Sequence, residues 1–265
     1  TLAYEKVKKI VNKYGIVIAL IVIVAFFALW SENFFTVDNI LNLLRQISIK
    51  GIIGIGMAFV ILCSGVDLSV GSNTCLCGIL VAMMVQSGQN MFLAMLVSLL
   101  VGLLFGTVNG FFIAKCGMTP FIVTLATSSV GTGLVYVITE GKPISKLSEQ
   151  FTFIGRGALF SIPIPVIIMA GVYVIAFVLL SKTVIGRRIY AVGGNERTAI
   201  VSGINSVKVK IFAHAFCGLL CGLAGIVLTA RVTSASVNAA TGYESDAVAS
   251  CVIGGISMKG GKGSL

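Results

Sequence analysis

The chain has 265 residues, 57% of them hydrophobic and only 11% charged. Soluble domains carry about 25% charged residues, so the composition excludes an ordinary globular protein. The net charge of +10 would suit nucleic acid on a soluble protein, but here it fits Lys and Arg gathered on the cytoplasmic loops of a membrane protein.

Lipid offers backbone polar groups no partner, so only helices and closed barrels cross it. The apolar runs are continuous rather than alternating, which indicates an all-α, polytopic helical membrane protein. At about 20 apolar residues per span, the sequence predicts spans over Val11–Trp30, Ile47–Cys63, Leu68–Gln86, Met91–Ala114, Phe121–Thr139, Ile164–Ser181 and Lys210–Ala230. Ala247–Met258 is a short eighth run. The first span lacks a small-x-small cleavage site and is expected to be an uncleaved anchor. Between the first two spans, Val37, Ile40, Leu41 and Leu44 recur at helical spacing, which predicts an interfacial helix over Phe35–Ile47. Gly102, Gly106 and Gly110, and likewise Gly218 and Gly222, repeat every four residues and predict close helix packing.

Basic residues set the expected orientation. With the N-terminus inside, the inner segments hold thirteen Lys and Arg: Lys6, Lys8, Lys9, Lys13, Lys115, Lys182, Arg187, Arg188, Arg197, Lys208, Lys210, Lys259 and Lys262. The outer segments hold six: Arg45, Lys50, Lys142, Lys146, Arg156 and Arg231. The bias predicts a cytoplasmic N-terminus and puts the basic segment 182–208 in the cytoplasm.

No catalytic constellation is legible. The single histidine, His214, lies in an apolar span with no acid near it in sequence and reads as a helix–helix hydrogen bonder. The seven cysteines fall in or beside apolar spans and read as small hydrophobes, with no metal site expected. The glycine-rich end resembles a phosphate loop but has Gly263 after Lys262, where that loop needs Ser or Thr.

Four segments carry more. In SGVDLSVGS (64–72), Asp67 or Ser69 is placed to cap the next helix, with Gly71 just inside it. TPFIVTLAT (119–127) starts a helix at Pro120, and its Thr124 and Thr127, with Ser128 and Ser129, either tie helices together or line a polar path. GGNERTAIVSGI (193–204) reads as a glycine turn at Gly193 and Gly194, then a short helix capped by Asn195, favoured by Glu196 and ended by Gly203. Ala199, Ile200 and Ile204 would then form an apolar knob for a docking partner. ARVTSASVNAATGYESDAVASCVIGG (230–255) is a polar loop feeding a small-residue helix, with Tyr243, Glu244 and Asp246 at the junction.

These segments in this order resemble the permease subunits of bacterial monosaccharide importers of the ATP-binding-cassette class, the ribose, xylose and galactose group. The ribose branch is most similar in its spacing, and the resemblance runs from Asn33 to the end of the chain. Ser245 stands where that family usually has Leu, and Ser250 where it has Ala. The family has about ten spans and continues beyond the last glycines here, so this chain, with about eight, looks C-terminally truncated and is expected not to transport alone. The resemblance implies a homodimer in the bacterial cytoplasmic membrane, a cytoplasmic tandem ATPase subunit and an extracytoplasmic sugar-binding protein. No cofactor is expected on this chain, with ATP and Mg on the partner ATPase, and no nucleic acid. It also implies that Gly193, Gly194, Asn195, Glu196, Arg197, Ala199, Ile200, Ser202 and Gly203 form the ATPase-coupling element.

Asn109, Phe121, Thr124, Thr127, Ser128 and Tyr243 are the candidate path residues. The expected cargo is neutral, because Asp67 and Lys50 lie at span ends and only His214 lies clearly inside one, leaving little to compensate an ion. The alternatives are an importer of branched-chain amino acids or nucleosides, an ion-coupled transporter or a membrane-embedded enzyme.

Overall fold

The computed structural model describes residue 15 and residues 18–265. Part of the predicted first span, with Lys6, Lys8, Lys9 and Lys13, lies outside the described residues; helix α1, Ile18–Trp30, is its described part. Of the described residues, those up to Leu44 belong to one compact unit and 45–265 to another. In the first, the Phe26 ring stacks on Trp30 and Phe27 on Phe34.

The remaining helices are α2 (Val37–Leu62), α3 (Val70–Gln86), α4 (Met91–Ala114), α5 (Pro120–Thr139), α6 (Glu149–Arg156), α7 (Ile164–Lys182), α8 (Val184–Gly194), α9 (Glu196–Val201), α10 (Ser206–Val232) and α11 (Tyr243–Ile253). A two-stranded hairpin, β1 (Ala158–Leu159) and β2 (Ile162–Pro163), pairs Ala158 with Pro163 ahead of α7. Among the described helices, α2, α4, α5, α7 and α10 are long and apolar enough to cross a membrane.

Three expectations need correction. The interfacial helix and the second span are one unbroken helix of 26 residues, α2, because no Gly or Pro between Val37 and Lys50 interrupts it. The run Ala247–Met258 is not a span: α11 has 11 residues and stops before Gly254 and Gly255, the latter at φ 93°. Segment 182–208 is not a loop with one helix but holds both α8 and α9. Gly193 and Gly194 close α8 rather than form a turn. The spacing of Ile185, Ile189 and Val192 carried that signal. Helix α6, also not anticipated, buries Phe151 against the end of α10 side of the core.

The core is built on the predicted glycine seam. A Cβ at Gly102 would lie 2.5 Å from Gly218 O, and one at Gly110 would lie 2.7 Å from the Ile211 Cα. One at Gly106 would collide with His214 O, and one at Gly218 with Gly102 O. Helices α4 and α10 thus touch backbone to backbone, an approach only small residues permit. From Ser48 onward, most of α2 is buried beside them.

Helix α3 begins inside the bundle. Asn73 Nδ2 in its first turn donates to Gly102 O (3.3 Å), and Gly102 is the twelfth of 24 residues in α4. Helix α11 begins at the same level. A Cβ on Gly71 would sit 2.7 Å from Glu244 Oε2 and 2.8 Å from Ala240 O. The non-helical segments 63–69 and 233–242 therefore enter the bundle to reach those two starts.

Gly106→Ala and Gly218→Ala are each expected to destabilise by about 1–3 kcal/mol through overpacking. Gly171→Ala, where a Cβ meets nothing within 4 Å, is expected to be neutral or slightly stabilising. Thermal unfolding of the detergent-solubilised protein measures both.

Candidate functional site

Two regions gather functional side chains. The first is the end of the bundle where α8, α9 and the start of α10 meet. Asn195 breaks the chain between α8 and α9 in extended backbone, and its Oδ1 accepts from Thr198 N (3.0 Å), the predicted cap. Ile204 N donates back to Ala199 O (3.0 Å), and Gly203 takes φ 81°, which ends α9. Ser202 Oγ donates to Thr198 O (2.9 Å). Arg197 and Ile200 are exposed.

The predicted apolar knob is corrected. Ala199 is buried and Ile204 packs on the core, whereas Ile200 is 52% and Val201 89% exposed. At helical spacing, Ile200 and Val201 point away from the face that Ala199 turns inward. Gly193 packs so closely on the end of α2 that a Cβ would collide with Leu62 O, while one on Gly194 would be free. Ser64 Oγ is placed to donate to either Gly193 O (3.0 Å) or Lys259 O (2.9 Å). A cavity of about 780 Å³ opens beside these residues, lined in part by Asn195, Glu196, Arg197, Lys210, His214 and Lys259.

The second region is the bundle interior around the starts of α3 and α11. Asp67 does not cap α3 through helical N–H groups, nor does Ser69. The Asp67 Oδ1 accepts from Ser69 N (2.9 Å) and Ser69 Oγ, an Asx-type turn. Asn109 Nδ2 donates to Ser69 Oγ (2.8 Å), and all three residues are buried. His214 sets its Nδ1 2.9 Å from Lys210 O of its own helix, and its buried Nε2 has no partner among the described residues. Among the described residues it bonds no other helix, contrary to expectation, and its ring lies beside Gly65, where an added Cβ would sit 3.5 Å from Cε1.

The charges are not where the sequence reading put them. Lys50 is the fourteenth residue of α2, not near an end, and its Nζ pairs with Asp246 Oδ2 at 2.6 Å while lying 5.4 Å from the Tyr243 ring centroid. Asp67 is likewise enclosed rather than at a span boundary, at 2% exposure.

The six candidate path residues do not share one cavity. Asn109 belongs to the Asp67 cluster, and Phe121 is exposed. Thr124 and Thr127 donate to carbonyls of α5 itself, Pro120 O at 2.8 Å and Thr124 O at 3.2 Å. Thr127 also borders an apolar groove with Leu104 and Leu134. Tyr243 sits by Lys50. Ser128 alone lines a small polar pocket, about 120 Å³, together with Ser72, Thr132, Asn238, Thr241 and Glu244. Sequence reasoning passed over Thr132 and Asn238; the i, i+4 spacing of Ser128 and Thr132 was the available signal.

A bundle with five span-length helices and two helices that begin in its interior is a multi-pass helical membrane protein of the kind that holds polar groups at mid-depth, as transporters do. The chain belongs to the family described as the branched-chain amino acid transport system / permease component, whose model matches residues 39–262. It is 46% identical over 250 residues to the ribose import permease protein of Haemophilus influenzae, covering 93% of this chain and 77% of that one. It is 45% identical over 258 residues to the ribose import permease protein of Bacillus subtilis, covering 97% and 80%. It is 38% identical over 256 residues to the D-allose transport system permease protein of Escherichia coli, covering 96% and 78%. No solved structure matches. The chain is a transport permease and not an enzyme.

Partial burial pushes the Glu196 carboxyl up, but the Lys210 ammonium at 2.6 Å and a hydrogen bond from Ser206 outweigh it and hold the carboxyl below its usual value. A carboxyl depressed in the folded state contributes stability above its unfolded pKa and loses it as pH falls through the folded one. Since its side chain is 41% exposed, screening holds the contribution under about 1 kcal/mol. Glu196→Gln is therefore expected to lower stability slightly at pH 7 and by less near about pH 3, below the ordinary Glu range. Melting temperatures of both proteins at the two pH values check this.

Proposed function

We propose that the chain is the membrane permease of an ATP-driven bacterial importer for a neutral monosaccharide, ribose or a close relative. The observation that carries this reading is the 46% identity to a ribose import permease over 93% of the chain. The family's description names branched-chain amino acids, but the relatives at 35–46% identity are named for ribose, allose and arabinose. An ion-coupled transporter is less well supported, since Lys50 and Asp246 neutralise each other and Asp67 is held by Ser69 and Asn109.

In this reading two copies of the permease lie in the cytoplasmic membrane with their N-termini inside. A tandem ATPase subunit binds ATP and Mg below them, and a sugar-binding protein delivers cargo from the other side. The chain itself holds no cofactor. Segment 182–208 is the coupling element, and α9 is the part seated on the ATPase. Ile200 and Val201 supply the apolar contact, Arg197 and Thr198 flank it, and the Asn195 cap and the Glu196–Lys210 pair fix the helix to the start of α10.

Cysteine at Ile200 or Val201 is expected to cross-link to the ATPase subunit in assembled transporter, and to stay unlabelled by membrane-impermeant thiol reagents added outside intact cells. Labelling from outside would place α9 on the wrong face for any ATP-driven coupling. Lack of cross-linking would count against α9 as the docking helix.

A further inference from the structure

Hydroxyl side chains in helices usually bond to the carbonyl one turn back. On α5, Thr124 and Ser129 do so, to Pro120 O and Leu125 O, and Thr139 does so to Val135 O. Ser128 and Thr132, on one face of the same helix, do not. Among the described residues, the side chains of Ser128, Thr132, Asn238, Thr241 and Glu244 form no hydrogen bond, and all five line one pocket. Ser72, also in the lining, donates to Ser69 O (3.0 Å) and keeps its lone pairs free. The pocket lies at the first turns of α3 and α11, level with the midpoint of α4. Asn238 and Thr241 are exposed at its mouth.

Ser128, Thr132 and Glu244 are only partly exposed there and carry open hydrogen-bonding groups that suit a polar occupant, while Asn238 and Thr241 stand at the mouth. About 120 Å³ holds several waters, or part of a sugar ring. The set matches a polyol: one carboxylate that accepts only, hydroxyls that both donate and accept, and an amide that does both. The cradle is also fixed from behind. The Lys50–Asp246 pair holds the opposite side of the first turn of α11, and Cys75 Sγ accepts from Ala240 N at 3.3 Å.

We propose that this pocket is a subsite on the transport path that takes ring hydroxyls of a neutral monosaccharide, with Glu244 as their acceptor and Ser128 and Thr132 as the second wall. The inference rests on the permease reading above and names where that permease reads its cargo.

The test uses the full-length transporter in proteoliposomes with its ATPase and its binding protein, the latter saturated with ribose or with 2-deoxyribose. Uptake of neither sugar by the parent protein would overturn the permease reading itself. With the parent active, Glu244→Gln is expected to slow ribose uptake about tenfold and Thr132→Val about fivefold, as loss of a charged and a neutral hydrogen bond implies. Both should bring the ribose-to-deoxyribose ratio toward one, while Gly171→Ala, where an added Cβ meets nothing within 4 Å, leaves rate and ratio unchanged. An unaltered ratio in both pocket variants overturns the subsite and leaves the permease reading intact. Should either variant fail to insert, Ser128→Cys decides. Its modification by a small thiol reagent is expected to slow at least severalfold during ribose turnover, and an unslowed rate overturns the subsite.

Discussion

Backbone groups in lipid must be bonded within the protein, and two non-helical segments of this chain enter the bundle regardless. The rest of the interior is arranged to make that possible. At 63–69 the Asp67 carboxylate takes Ser69 N, and Asn109 of α4 steadies the turn. At 233–242 Ala235 pairs with Ile144 through two backbone bonds of 2.9 Å, and Ala240 N finds the Cys75 sulfur. Gly71, by lacking a Cβ, lets the second segment lie against the first turn of α3. The glycine seam packs α4 and α10 backbone to backbone, and Asn73 of α3 bonds the same stretch of α4 at Gly102 O.

The interruptions join the two functional regions. Segment 63–69 leads from the end of α2, where Gly261 N donates to Leu62 O (3.0 Å) and Ser64 meets Gly193 O, to the first turn of α3 at the polar pocket. Helix α11 runs back the other way, from Glu244 at that pocket to the turn that precedes Lys259, whose carbonyl also faces Ser64. Segment 63–69 and α11 thus each run between the α8–α9 end of the bundle and the pocket. The Lys50–Asp246 pair ties the first turn of α11 to α2.

Much of this was legible in the sequence. Continuous apolar runs gave the class, small residues at four-residue spacing marked the packing faces of α4 and α10 without showing that they meet, and Asn195 and Gly203 marked both ends of α9. What failed has a common physical cause. Hydropathy reports how well a segment tolerates lipid or a core, not where along the membrane it begins, so α3 and α11 read as spans although they start inside the bundle. For the same reason Lys50 and Asp67 looked like boundary residues. Amphipathic α8 was hidden by its charge, although Ile185, Ile189 and Val192 kept helical period. Within α5 the hydroxyls were indistinguishable by type. Only rotamer and neighbours separate Thr124, which bonds its own helix, from Thr132, which does not.

The coupling of sugar to ATP is best tested by ATP hydrolysis in reconstituted membranes holding the permease, its ATPase subunit and a cognate binding protein. The binding protein loaded with ribose or a related monosaccharide should stimulate hydrolysis above the unloaded level, whereas a partner loaded with a branched-chain amino acid should not. Stimulation by the amino-acid-loaded partner, with none by any sugar, would contradict the assignment and return the chain to the cargo class that the family's description names.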